Sequence, residues 1–291
     1  MYQIISDGSC DLSEELIKKH HLEVVPFYVS MDGNKYLKEK VEIDVRDFYQ
    51  QMVDNSNVYP KTSMPTVDDY YRVFEKYAKD GIDIICICIT TKFSGSYNSA
   101  LNAMKDILEK YSVKVTVIDA TVNTCIQGLL VLEAARMQDN GLSYEECVEK
   151  INEIKKTARI FFTVGSMDYL RHGGRIGKVL GLIGATLKIK PLIVLKEGEI
   201  FPLGLCFRRT QSILKVVEHM KKHFEENKLD PSNYRFVVGY GYDEEEGLQL
   251  KDRIQAIYPQ IEVMIFQIGA TIGVHTGPYP IGVGIIQKYD A

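Results

Sequence analysis

The chain has 291 residues, with 35 Lys and Arg against 39 Asp and Glu for a formal charge of -4, and 45% of its residues are hydrophobic. This composition excludes a disordered polymer, and the mild acidity excludes the basic field of a general nucleic-acid binder. A folded chain of this size buries roughly three quarters of its unfolded surface without needing disulfides or a structural metal, and its length suits about two domains.

The opening Met1-Tyr2-Gln3-Ile4-Ile5-Ser6-Asp7 has no basic lead-in and soon meets an acid, so it does not read as a signal peptide. No apolar stretch approaches the ~20 residues of a membrane span. Gln3 to Ser6 is the first expected strand, and Ser13-Glu14-Glu15 opens a helix with acids in its first turn. Leu22 to Ser30 reads as one second strand. Asp44 to Val53 is expected to be helical, with Val45, Phe48, Tyr49 and Met52 at i, i+3, i+4, i+7. Thr66 and Asp69 form a Thr-x-x-acid start to a helix running towards Lys79.

Ile82 to Thr90 is a buried strand, followed by the loop Thr91-Lys92-Phe93-Ser94-Gly95 and a helix from Ser96 to Tyr111. Val113 to Ile118 is a further strand, with Asp119-Ala120-Thr121 at its carboxyl end, and helices follow over Ile126 to Asn140 and Tyr144 to Thr157. Strands alternating with helices predict a doubly wound parallel sheet, whose ligands gather at the carboxyl ends of strands. The boundary is placed near 158, giving a parallel α/β domain over 1–158 and an α+β domain with a largely antiparallel or mixed sheet over 159–291.

In the second half, Arg159 to Val164 is a strand. Val179 to Leu187 is an apolar segment with small residues, either a tunnel wall or lid, or an ordinary core helix. Pro191 to Lys196 and Ile200 to Leu205 form a hairpin around Glu197-Gly198-Glu199. An amphipathic helix over Thr210 to Asn227 precedes the strand Arg235 to Tyr240, the helix Glu244 to Tyr258, and the strands Glu262 to Ile268 and Gly282 to Gln287.

The common catalytic signatures fail. Ser6-Asp7-Gly8-Ser9-Cys10-Asp11 after the first strand is not G-x-G-x-x-G, and His172 stands where a Walker loop ending in Gly177-Lys178 needs its first glycine. There is no H-E-x-x-H, and His219 and His223 lie beside Lys221 and Lys222 on a solvated face. Of the six cysteines only Cys86 and Cys88 are close, on one face of a buried strand with no second pair to complete a zinc site. Buried thiols suit a reducing cytoplasm.

What remains is a set of hydroxyls at loop-to-helix junctions: Thr62 and Ser63 before one helix, Ser94-Gly95-Ser96 at the start of another. Such junctions present N–H groups and the positive end of a helix to an anion, though each hydroxyl is equally a helix cap. Gly173-Gly174-Arg175 either brings a guanidinium to an anion or makes a tight turn. His275 sits in a run too apolar for a surface loop, as a ligand or as a satisfied core histidine. Asp7 and Asp119, just past strand ends, orient polar partners or cap.

Five segments in order, Ser6-Asp7-Gly8-Ser9-Cys10-Asp11-Leu12, Thr62-Ser63-Met64-Pro65, Ser94-Gly95-Ser96-Tyr97-Asn98-Ser99-Ala100, Gly173-Gly174-Arg175-Ile176 and His275-Thr276-Gly277-Pro278, resemble the DegV family over essentially the whole chain. Met64, Ser96 and Tyr279 depart from its usual Gln, Thr and Gly. The resemblance implies a two-domain, non-catalytic protein that buries a long-chain fatty acid, with no cofactor and no metal. It implies that Thr62 and Ser94 hold the carboxylate, with Gly95 and His275 in that site and Ser63, Ser96 and Arg175 near the head group. Some members present the fatty acid to a separate ATP-using kinase related to dihydroxyacetone kinases, for phospholipid synthesis. Arg171, Arg208 and Arg209, with Arg175, are then expected to border the entrance facing that kinase. The competing readings are a lipid esterase or thioesterase using Ser94, His275 and Asp7 or Asp119, although Ser94 lacks a G-x-S-x-G elbow, and a carrier or sensor that meets no kinase.

Overall fold

The computed structural model describes residues 2–182 and 189–291. In its first half, β1 (Tyr2–Asp7), β2 (Glu23–Val25), β6 (Asp83–Cys88) and β7 (Val115–Asp119) form a wholly parallel sheet in the order β2-β1-β6-β7. The strand β6 is buried along almost its whole length, as expected of a parallel strand covered on both faces. Ile84, Cys86 and Cys88 face α3 (Val67–Ala78) and α4 (Ser96–Leu108), while Ile85 and Ile87 face α5 (Thr124–Asp139) and α6 (Tyr144–Ile154). The period-2 alternation of one apolar run therefore fills two cores.

Leu22 to Ser30 is not one strand. Pro26 has no N–H to continue the ladder, and the chain leaves the parallel sheet after Val25. It resumes as β3 (Tyr28–Ser30), the centre of a small antiparallel sheet with β4 (Leu37–Lys38) and β5 (Lys61–Ser63). The first helix, α1 (Glu14–Lys19), is capped by Ser13, and α2 (Val45–Asp54) by Asp44. At α3 the expected capping box is present, with Thr66 Oγ1 accepting from Asp69 N and Asp69 Oδ2 accepting from Thr66 N.

The second half forms a mixed six-stranded sheet from β8 (Arg159–Thr163), β9 (Lys190–Lys196), β10 (Glu199–Cys206), β11 (Tyr234–Tyr240), β12 (Val263–Gln267) and β13 (Ile281–Gln287). Its order is β10-β9-β8-β13-β11-β12, antiparallel except for β11 and β12. Glu197 and Gly198, with φ 54° and 83°, make the tight turn of the β9–β10 hairpin. One face packs against α8 (Arg209–Asn227) and α9 (Glu244–Ile257). The other rests on α5, which is buried nearly all round because it also packs against the parallel sheet, so one core runs through both halves.

Two short α-helices, α7 (Asp168–His172) and α10 (Ala270–Thr276), and four 3-10 helices at Gly8–Cys10, Lys155–Thr157, Gly177–Leu182 and Pro231–Asn233 complete the described helices. Of the expected wall or lid segment, Val179 is buried and 183–188 lie outside the described residues. No described helix is long and apolar enough to cross a membrane.

Candidate functional site

The order in which strands are added to the parallel sheet reverses between β1 and β6, and the crevice beyond their carboxyl ends is where such sheets take ligands. The floor beneath that crevice is a buried polar network. Asp7, fully enclosed, accepts from Ser9 Oγ at 2.6 Å, Gln127 Nε2 at 2.8 Å, Ile89 N at 3.0 Å and Ser96 Oγ at 2.8 Å. Tyr70 OH lies 2.6 Å from Ser96 Oγ. Burial raises the Asp7 carboxyl and its hydrogen-bond donors oppose that rise. The network fixes the β6–α4 loop against β1, α3 and α5.

Above it opens a cavity of about 300 Å³. Thr62, Ser63, Ser94, Gly95, Arg175 and His275 all line it, together with Phe27, Phe93, Phe162, Leu170, Ile200 and Ile272. The arrangement is amphiphilic, with polar groups gathered from β5, the β6–α4 loop and α10, and apolar side chains supplied by both halves of the chain.

His275 Nε2 lies 3.2 Å from Thr62 Oγ1, while its Nδ1 is buried without a hydrogen-bond partner among the described residues. Burial, with the positive charge of Arg175 adding to it, pushes the imidazole down to about 4, so it is neutral near pH 7. Arg175 donates from Nε to Phe93 O at 3.1 Å and from Nη1 to Gly173 O at 2.6 Å, which anchors its guanidinium at the cavity wall. Gly173 lets α7 approach the imidazole: a Cβ there would stand 2.2 Å from His275 Nδ1. Ser94 Oγ accepts from Ser96 N at 3.2 Å, and Gly95 begins α4 without a side-chain cap.

Two expectations need correction. Thr62 and Ser63 are on strand β5, not at the mouth of a helix, and the N-terminus of α3 is closed by its own Asp69. Ser96 does not line the cavity, because its hydroxyl turns down to Asp7 and Tyr70. Of the four arginines expected at the entrance, Arg175 lines this cavity, Arg171 and Arg208 are exposed, and Arg209 is paired with Glu246 at a separate cavity.

The acids considered for an esterase are engaged elsewhere. Asp7 serves the network described above, and Asp119 accepts from Thr121 N at 2.7 Å and Thr91 Oγ1 at 2.7 Å. Neither orients His275, so the base lacks the third member of a triad. Three polar lining residues were missed: Asn123, Thr271 and Thr276. Asn123 precedes α5 at the carboxyl end of β7, a position that strand-end reasoning could have singled out.

A family model described as "Uncharacterised protein, DegV family" matches residues 1–288. The chain belongs to the DegV family. Its fold superposes on a crystal structure of a stearic acid-binding protein from Eubacterium ventriosum with a TM-score of 0.95, at 43% identity over 100% of this chain and 99% of that one. DegV of Bacillus subtilis, a fatty acid binding protein, superposes with a TM-score of 0.87 at 26% identity, covering 99% of each chain. A fatty acid-binding protein of Thermotoga maritima is 29% identical over 97% of this chain and 96% of its own. Of the positions that depart from the DegV pattern, Met64 lines the cavity and packs on Gly95, where a Cβ would meet its sulfur at 2.7 Å. Tyr279 lies outside that cavity, packed against Gly165.

Proposed function

We propose that this chain binds a long-chain fatty acid, its carboxylate at Thr62, Ser94, Gly95 and His275 and its alkyl chain among Phe162, Leu170 and Ile200. The observation that carries this reading is the shape of one cavity, with hydroxyls, the start of α4 and a neutral imidazole on part of its wall and apolar side chains on the rest. The likeness to a stearic acid-binding protein at 43% identity supports it. Burying about 15 methylenes at ~0.8 kcal/mol each gives a ceiling of about 12 kcal/mol before ordering costs. A carboxylate drawn in with that chain needs donors, or several kcal/mol are lost. Residues 1–158 and 159–291 act as two lobes around this ligand, with Ser63 and Arg175 flanking the head group.

The finer step is presentation of the carboxylate to a separate ATP-dependent kinase, which forms the acyl phosphate, in the reducing cytoplasm. Mostly uncharged donors would leave the carboxylate oxygens nucleophilic. In this reading exposed Arg171 and Arg208 face the kinase. Organic extraction of the purified protein and mass spectrometry test the first claim, with a stoichiometric long-chain fatty acid expected. Adding the candidate kinase and ATP tests the second: acyl phosphate should form only with both proteins present, and none would leave a carrier.

A further inference from the structure

The six-stranded sheet has two edges, and they are treated differently. At one edge, β10 carries Pro202 and a break in register between Pro202 and Gly204 against β9, devices that discourage further strand pairing. At the other edge, β12 runs Val263-Met264-Ile265-Phe266-Gln267 in unbroken parallel register with β11, without proline and without a bulge. Its outer side pairs with no strand among the described residues.

That outer side faces a cavity of about 960 Å³, separate from the one that takes the proposed fatty acid. All five residues of β12 line it, with Met264, Ile265 and Gln267 partly exposed. Its opposite wall brings Glu14 and Glu15 from α1 and Glu42 and Asp44 from the approach to α2, and Glu262 stands at the head of β12. Lys40 and Lys251 are the bases on this lining, and Lys40 Nζ is tied to Leu12 O at 3.0 Å. The surplus is negative. Asp11 also lines the cavity; it is 3% exposed, and its Oδ1 has no hydrogen-bond partner among the described residues.

We propose that this groove docks an extended, lysine- or arginine-bearing peptide segment of a partner protein, which adds as a further strand to the free edge of β12. Backbone hydrogen bonds to β12 supply the affinity, and the acids on both walls select basic side chains. The assignment is independent of the fatty-acid cavity.

The probe is a short fluorescein-labelled peptide alternating lysine and valine, followed by anisotropy against the full-length protein. Saturable binding that weakens with added salt is expected. Glu15→Gln together with Glu262→Gln, both exposed positions, should lower affinity several-fold while the melting temperature shifts little. The same peptide N-methylated along its backbone keeps its charges and loses its strand donors, so it should not bind. No binding of the parent peptide, equal binding of the N-methylated one, or equal binding of a glutamate–valine peptide would each overturn the proposal.

Discussion

Thr62 and His275, 213 positions apart in the chain, meet across the cavity with Oγ1 and Nε2 3.2 Å apart. One comes from a three-residue strand of the small sheet and the other from a seven-residue helix. Thr62→Val keeps the shape and removes the oxygen, leaving both ring nitrogens unpaired. We expect a loss of about 1–3 kcal/mol in fatty-acid affinity, roughly 5- to 150-fold by calorimetry, with Thr62→Ser restoring most of it.

Gly173 is needed for a steric reason alone. Its φ of -72° suits any residue, yet a Cβ would stand 2.2 Å from His275 Nδ1 and 3.0 Å from Tyr169 O. Gly173→Ala must therefore displace the imidazole or α7. About 1–3 kcal/mol of stability should be lost by denaturant unfolding, together with ligand affinity. Unchanged unfolding would mean that α7 does not press on His275.

Ser94 and Ser96, two residues apart, should fail differently. Ser94→Ala removes a cavity hydroxyl and should lower ligand affinity by about 1–3 kcal/mol, with a smaller loss of stability in the ligand-free protein from the acceptor of Ser96 N. Ser96→Ala leaves Tyr70 OH and Asp7 Oδ2 each short of a partner in the buried network. It should cost about 1–3 kcal/mol of stability in the ligand-free protein, read from its melting temperature. The reverse pattern would exchange their roles.

The titration of His275 gives a pH dependence of definite sign. Its ordinary value is 6.5 and in the fold it falls to about 4, so between these values the unfolded chain binds more protons than the folded one. Its contribution, up to about 3 kcal/mol, is complete above pH 6.5 and is lost as pH falls towards 4. Unfolding free energies of the parent and His275→Asn across that window should converge as the pH drops. Parallel curves would show an imidazole that is not held neutral.

The sequence made much of this legible because its local rules and the fold agree. The apolar run through Cys86 and Cys88 reads as a buried parallel strand, Thr66 and Asp69 as a capping box, and Glu197-Gly198 as a hairpin turn, and all three are present. Pro26 was the overlooked signal: it divides one apolar run between two sheets and leaves Phe27 on the cavity wall. The inward turn of Ser96 was not legible, because Asp7, Tyr70 and Ser96 meet only through long-range packing. Neither was the pairing of Arg209 with Glu246, 37 residues away on another helix.

The most direct test is a crystal structure of the protein carrying stearic acid, at a resolution that separates the two ends of the lipid. The account predicts carboxylate oxygens within about 3 Å of both Thr62 Oγ1 and Ser94 Oγ, with the chain running past Phe162, Leu170 and Ile200. An empty cavity with stearate bound elsewhere, or a carboxylate reversed towards the apolar wall, would contradict it.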